Sequence, residues 1–143
     1  MPYLPNQISA PERTYLSIGP STIPNAGIGL FTHIKIYKDE IISIYKGKVI
    51  SQEKAKKLAD DGKDKYFITT ADGNILDSYS TECFAKYAND ASILKNSNFK
   101  NNSKIAMEDG DIICLIATRN IKPGDEIFCG YGRAYWKKHG VGI

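Results

Sequence analysis

The stretch IFCGYGRAYW, residues 127–136, sets an apolar, strand-like run against a Gly-Tyr-Gly and follows it with Tyr135 and Trp136, the chain's one tryptophan. Between two glycines, Tyr131 can approach neighbouring backbone closely, and its hydroxyl can enter a cavity. Taken alone, Tyr135 and Trp136 read as core packing. Just upstream, NIKPGDEIF (120–128) is a turn into that strand, and DIICLIAT (111–118) is a strongly apolar strand.

Working back towards the N-terminus, short apolar runs at 15–18, 29–31, 40–45 and 48–50 are separated by turn signals such as GPSTIPNAG and YKDE, which argues for a β-rich first half. SQEKAKKLADDG (51–62) predicts a helix: Ser51 is a good N-cap, Glu53 and Lys57 are spaced i,i+4, Ala55, Leu58 and Ala59 form one apolar stripe, and Gly62 ends it. KYFITT (65–70) reads as a strand, ADGN (71–74) as a hairpin-like turn, and ILD as the return. TECFAKYAND (81–90) suggests a short helix, and KNSNFKNNSK (95–104) a loop or irregular strand pair. FTHIKIYKDEI (31–41) faintly echoes ATRNIKPGDEI (117–127), which suggests two similar hairpins at either end of a small β fold.

At 143 residues the expectation is one domain with one core. Residues 1–13 are proline-rich and polar and read as a loose arm, residues 14–136 as the domain, and 137–143 as a tail. No run approaches the roughly 18 apolar residues of a membrane span, and the start lacks a signal-peptide layout, so an intracellular, non-membrane protein is expected. The net charge of +3 is dispersed: Lys and Arg against Asp and Glu number 8 and 6 over residues 1–62, 6 and 7 over 63–110, and 5 and 3 over 111–143. No direct nucleic-acid surface is evident, since such a surface clusters its cations. Cys83, Cys114 and Cys129 are odd in number and lack a CxxC, and His33 and His139 lack ligand spacing, so no metal site is expected.

NAGIGLF (25–31) places glycines on either side of Ile28. A dinucleotide-binding turn would need Gly at position 32 and a helix after it, but position 32 is Thr and the following run is not helical. A tight turn and a close backbone approach to a ligand both remain open. AKYAND (85–90) brings Lys86, Tyr87, Asn89 and Asp90 together. An asparagine can donate to and accept from an amino-acid-like ligand, and it can equally form an Asx turn.

The order of these pieces is more specific than any one of them. Gly-Ile-Gly-Leu-Phe, then EIISIYKGKVIS, then DSYSTECFAKYAND, then IKPGDEIFCGYG resembles a SET domain protein lysine methyltransferase. That family runs Gly-x-Gly-Leu-Phe, Glu-Tyr-x-Gly-Glu-Val-Ile, Arg-Phe-Ile-Asn-His-Ser-Cys-x-Pro-Asn and Gly-Glu-Glu-Leu-Thr-Phe-Asp-Tyr-Gly. The resemblance covers about residues 14–136, and the terminal YG..YW is similar to the small viral and algal members that are little more than a bare SET domain.

The resemblance implies a mainly β SET (β-clip) fold of short sheets with a C-terminal pseudoknot and one short helix near 51–61. It implies S-adenosylmethionine as cofactor, S-adenosylhomocysteine as product, and an acceptor lysine entering from the opposite face. Gly27, Ile28, Gly29 and Leu30 would flank the cofactor. Lys86, Tyr87, Asn89 and Asp90 would lie at its methionine part, Tyr131 would be the catalytic tyrosine, and Trp136 would close over the adenine or the lysine channel. Tyr45, Tyr66, Cys129 and Tyr135 would line the substrate side. A lysine-bearing protein, with histone tails as the family-level expectation, would be the partner, in the nucleus or a host nucleus. A homodimer is left open.

The chemistry agrees with those roles. Methyl transfer needs close, in-line positioning. The acceptor amine must be neutral although free lysine has a pKa of about 10.4, and a sulfonium charge and an apolar channel both disfavour the ammonium. Tyrosine rings tolerate a methylated cation while hydroxyls orient a lone pair. Against the family pattern, Asp90 stands for the histidine after the asparagine, Ala91-Ser92 for Ser-Cys, Gly130 for the aspartate before the tyrosine and Cys129 for the Phe or Tyr before that. Two rival readings follow: a non-catalytic SET-like module that binds a peptide or partner, and an unrelated β-rich interaction domain.

Overall fold

A computed structural model describes residues 4–69, 73–93, 99–108 and 112–130. Ten strands run through them: β1 (Leu16–Pro20), β2 (Ile28–Thr32), β3 (Ile41–Ile44), β4 (Lys48–Ile50), β5 (Phe67–Thr69), β6 (Ile75–Asp77), β7 (Ser103–Glu108), β8 (Ile112–Ala117), β9 (Glu126–Ile127) and β10 (Cys129–Gly130). They form three small sheets, ordered β1-β2-β9, β10-β7-β8-β3 and β4-β6-β5. The described residues are mainly β with short sheets, as expected.

One α-helix, α1 (Gln52–Asp60), lies among the described residues, where the capping signals placed it. The Ser51 side chain accepts from the Lys54 amide at 3.1 Å, and Ala55 is the buried point of the apolar stripe. The helix expected within 81–90 is a single 3₁₀ turn, Ala85–Tyr87. It stops because the next residues turn to pair with the C-terminal strands: Asn89 bridges Phe128 in parallel, and its carbonyl accepts from the Cys129 amide at 2.8 Å.

The core is built where the sheets meet. Leu30, Ile36, Ile42, Leu115, Ile121 and Ile127 are among its fully or almost fully buried side chains. β8 is an unbroken apolar run buried over almost its whole length, the pattern of a strand covered on both faces. Its antiparallel partner β7 includes Ser103 and Lys104, the end of the Asn-rich stretch expected to be a loop or an irregular strand pair. Alternation is weak there, and the strand is defined by its six-residue register with β8 rather than by its own pattern.

Residues 4–12, expected within a loose arm, are instead docked. Gln7 bridges Ile41, the Ile8 amide donates to the Ile41 carbonyl at 3.3 Å, and the Ile41 amide donates to Asn6 at 2.8 Å. The Glu12 carboxylate accepts from Ser43 Oγ and, at 3.1 Å, from the Ile44 amide. The physical reason is that β3 ends its sheet and would otherwise expose unpaired backbone groups.

The two echoing segments meet face to face rather than at opposite ends of the fold. Ile36 and Ile121 exchange both backbone hydrogen bonds, at 2.9 and 2.8 Å, and the Gly124 amide donates to the Thr32 carbonyl at 2.7 Å.

Candidate functional site

The Gly-Ile-Gly-Leu-Phe run is β2 with Gly27 just before it. Gly27 has φ +75°, a left-handed conformation that glycine adopts without steric cost. Ile28 is half exposed, whereas Leu30 is fully buried between Ile18 on β1 and Ile127 on β9. The Leu30 side chain therefore belongs to the core, and only its backbone can border a ligand.

Asn89 reaches this strand from 61 residues away in sequence. Its Nδ2 donates to the Ile28 carbonyl at 3.0 Å and lies 3.5 Å from Glu126 Oε2. The chain is held there by a crossing at the C-terminal side. Phe128 bridges Asn89, its carbonyl accepts from the Asn102 and Ser103 amides, and β10 pairs in parallel with β7. Asn102 brackets the same segment, donating through Nδ2 to the Glu126 carbonyl at 3.0 Å and accepting from the Phe128 amide at 2.9 Å. Residues 126–130 thus pass between the 89–91 turn and the start of β7, the crossing that a C-terminal pseudoknot requires.

Glu126 was not singled out in the sequence. It is buried, and its carboxylate accepts from Ser21 Oγ at 2.7 Å, the Thr22 amide at 2.7 Å and Thr22 Oγ1 at 2.6 Å. It also lies against Gly29: a methyl group at position 29 would stand 2.9 Å from its carboxyl carbon. In PGDEI it reads as an acidic turn residue. The signal that could have found it is the pairing of that acid with a glycine in the opposite strand.

Other expected contacts are committed elsewhere. Lys86 is buried, and its ammonium donates to the carbonyls of Ser78, Tyr79 and Thr81 at 2.9, 3.4 and 3.0 Å. It lies 5.2 Å from the ring centroids of both Tyr66 and Tyr87. An ammonium with three carbonyl acceptors has no donor left for a cofactor. Asp90, also buried, accepts through Oδ1 from the Ser92 amide and hydroxyl and from Asn101 Nδ2, so it fixes the turn after Asn89.

Of the substrate-side residues, Tyr45 and Cys129 belong to one buried core cluster. Tyr66 is half-buried and stacks edge-on against Tyr87, with centroids 6.2 Å apart, and near Tyr79 at 6.4 Å. Burial pushes the Cys129 thiol up to about 12, helped by the Asp90 carboxylate and opposed by hydrogen bonding to Ser103 and to the Ile105 backbone. Tyr131, Tyr135 and Trp136 lie outside the described residues.

The SET domain family model matches residues 27–132, well over half of the chain. The chain belongs to the SET domain family. Among solved structures it is similar to an active Polycomb Repressive Complex 2 in the basal state, at 25% identity and TM-score 0.69, covering 82% of this chain and 15% of that one. It is also similar to a Polycomb Repressive Complex 2 in an autoinhibited conformation bound to S-adenosylmethionine, at 24% identity and TM-score 0.68, covering 88% and 16%. A third is a humanized mutant of the Chaetomium thermophilum complex bound to an inhibitor, at 24% identity and TM-score 0.67, covering 82% and 15%. The chain thus spans about one sixth of the length of the structures it resembles. A comparison with curated proteins finds none that matches the chain.

Proposed function

We propose that the chain is an S-adenosylmethionine-dependent protein lysine N-methyltransferase acting on histone tails in a nucleus or host nucleus. The observation that carries this reading is the junction of Asn89 with the Ile28 carbonyl, which joins the two motifs expected at the cofactor. Asn89 spends its Nδ2 on the chain's own acceptors and so keeps Oδ1, an acceptor, for an ammonium group. That donor set fits the amino-acid end of the cofactor. When bound, S-adenosylmethionine supplies an electrophilic methyl group on a sulfonium.

The chain's residues then have positioning roles. Gly27 and Gly29 let backbone border the cofactor, and Asn89 orients its methionine part. Tyr131 directs the acceptor nitrogen through its hydroxyl, with Tyr45, Tyr66, Cys129 and Tyr135 on the lysine side and Trp136 over the junction. Histone tails suit the site class because extended segments can add to a sheet edge, and the similarity to Polycomb complexes supports that choice. The test is a radiolabelled methyl-transfer assay against histones and a whole-cell extract. Tyr131→Phe should slow turnover by on the order of a hundredfold while the fold persists, as for loss of a positioned hydroxyl. Unchanged turnover would reject the assignment.

One observation favours a second reading, a non-catalytic module that binds a peptide or partner. The family's histidine is replaced by Asp90, whose carboxylate serves the turn through Ser92 and Asn101. Calorimetric titration with S-adenosylmethionine separates the two, because a binding module of this kind gives no heat.

A further inference from the structure

Glu126 joins three parts of the chain: the loop after β1 at Ser21 and Thr22, the Gly29 backbone of β2, and the Asn89 side chain. Both groups facing Asn89 Nδ2 are acceptors, the Ile28 carbonyl at 3.0 Å and the Glu126 carboxylate at 3.5 Å. An amide between two acceptors has one stable orientation, NH2 inward and Oδ1 away from them. The carboxylate is itself held. Ser21 Oγ binds the same oxygen, Oε2, that lies near Asn89, while Thr22 binds Oε1 twice. Position 29 is glycine because any side chain there would strike this carboxylate.

We propose that Glu126 is a positioning residue of the cofactor site, which sets Asn89 so that its amide oxygen is presented to a ligand ammonium. The inference rests on the methyltransferase reading and adds to it a side chain that, with the Ile28 carbonyl, sets which end of the Asn89 amide the ligand meets. Glu126→Gln breaks this setting with almost no change in shape. A glutamine has one acceptor oxygen. If that oxygen stays with Thr22, its NH2 opposes Asn89 Nδ2, donor against donor, and the Ile28 carbonyl is left alone to hold the Asn89 amide against that repulsion.

The experiment is calorimetric titration of the full chain with two nucleosides. S-adenosylhomocysteine carries the amino-acid end, and 5′-methylthioadenosine lacks it. Glu126→Gln should weaken S-adenosylhomocysteine about tenfold or more, the scale of a hydrogen bond to a charged group, and leave 5′-methylthioadenosine unchanged. Ser21→Ala removes the group that holds Oε2 from a partly exposed loop, and should show the same selectivity at about threefold. It keeps the test available if Glu126→Gln does not fold. Equal weakening of both nucleosides, or of neither, in a folded variant would overturn the inference and leave the cofactor reading standing. Wild-type protein that binds neither nucleoside would reject the cofactor reading, and this inference with it.

Discussion

The ammonium of Lys86 donates to the carbonyl of Ser78 at 2.9 Å, and this contact ties the 3₁₀ turn before Asn89 to the segment that follows β6. Tyr79 and Thr81 accept from the same ammonium, and the Tyr66 and Tyr87 rings lie beside it. Lys86→Met should preserve the stem packing and leave these carbonyls without their cation. The expected loss is about 2–4 kcal/mol of stability, measured by urea unfolding. Lys86→Arg should lose much less, because a guanidinium also donates several hydrogen bonds and the family pattern has arginine here. Equal losses for Met and Arg would show that packing, not donation, matters at this position.

Local signals were legible wherever a few neighbouring residues carry the structure. Ser51, with Ala55 and Leu58, marked the helix, and the apolar run at 112–117 marked β8. What could not be read locally depends on partners far away in sequence. Lys86 looked like a ligand contact because a lysine beside an asparagine gives no hint of the carbonyls at 78–81. Glu126 looked like a turn acid because Gly29 and Ser21 lie about a hundred residues earlier. The arm at 4–12 looked loose because its pairing partner is the backbone of β3, which carries no side-chain signal. The crossing of residues 126–130 past Asn89 came from family resemblance, not from periodicity.

Gly29→Ala should be costly even though alanine suits a strand. The added methyl would press on the Glu126 carboxylate and approach the Ser21 Cα at 3.2 Å. Overpacking of this kind costs about 1–3 kcal/mol. Because Glu126 must shift to relieve it, S-adenosylhomocysteine binding should weaken as well. Gly27→Ala is the control: it has open space around the new methyl but a positive φ, so its cost should be backbone strain of about 1 kcal/mol. Thermal unfolding of both variants checks the order, and Gly27→Ala proving the more damaging of the two would contradict the packing argument.

Alkaline pH should destabilise the fold through its thiols. Cys129 is pushed up to about 12 from an ordinary value of 9.0, first by burial and then by Asp90. Cys114 is pushed up to about 11, first by burial and then by Glu108. A raised thiol pKa means that above pH 9 the unfolded chain gives up a proton that the folded chain retains. Stability from this source is therefore constant below pH 9 and falls as pH rises towards 11 and 12. The slope is about 1.4 kcal/mol per pH unit for each thiol in that window. Denaturant unfolding at pH 8 and at pH 10.5 should show the fall. Cys129→Ala should reduce the slope by about one thiol's share, whatever it does to the absolute stability. An unchanged slope would mean that Cys129 is not buried as described.

On the proposed methyltransferase reading, the number of methyl groups transferred should depend on Cys129. In the family pattern this position, two before the catalytic tyrosine, holds Phe or Tyr beside the lysine pocket. A tyrosine hydroxyl there can retain a water in the space that a further methyl needs. A thiol is smaller than either ring and a weak hydrogen-bonding group. Here the Cys129 thiol lies 3.5 Å from the Gly130 carbonyl and is fully buried, in the same core cluster as Tyr45. It therefore holds no water by a strong hydroxyl, and the reaction should run on to di- or trimethyllysine. The burial also sets a condition on the test. Cys129→Tyr puts a ring into a packed core, at a cost of about 1–3 kcal/mol, so its melting temperature must be read first. Cys129→Ser changes little in volume and restores a hydroxyl, and serves where the tyrosine variant does not fold. Mass spectrometry of a saturated reaction should show products beyond monomethyl for the wild type and a shift towards monomethyl for Cys129→Tyr. A wild-type product that stops at monomethyl, with either folded variant behaving the same, would show that another residue sets the limit.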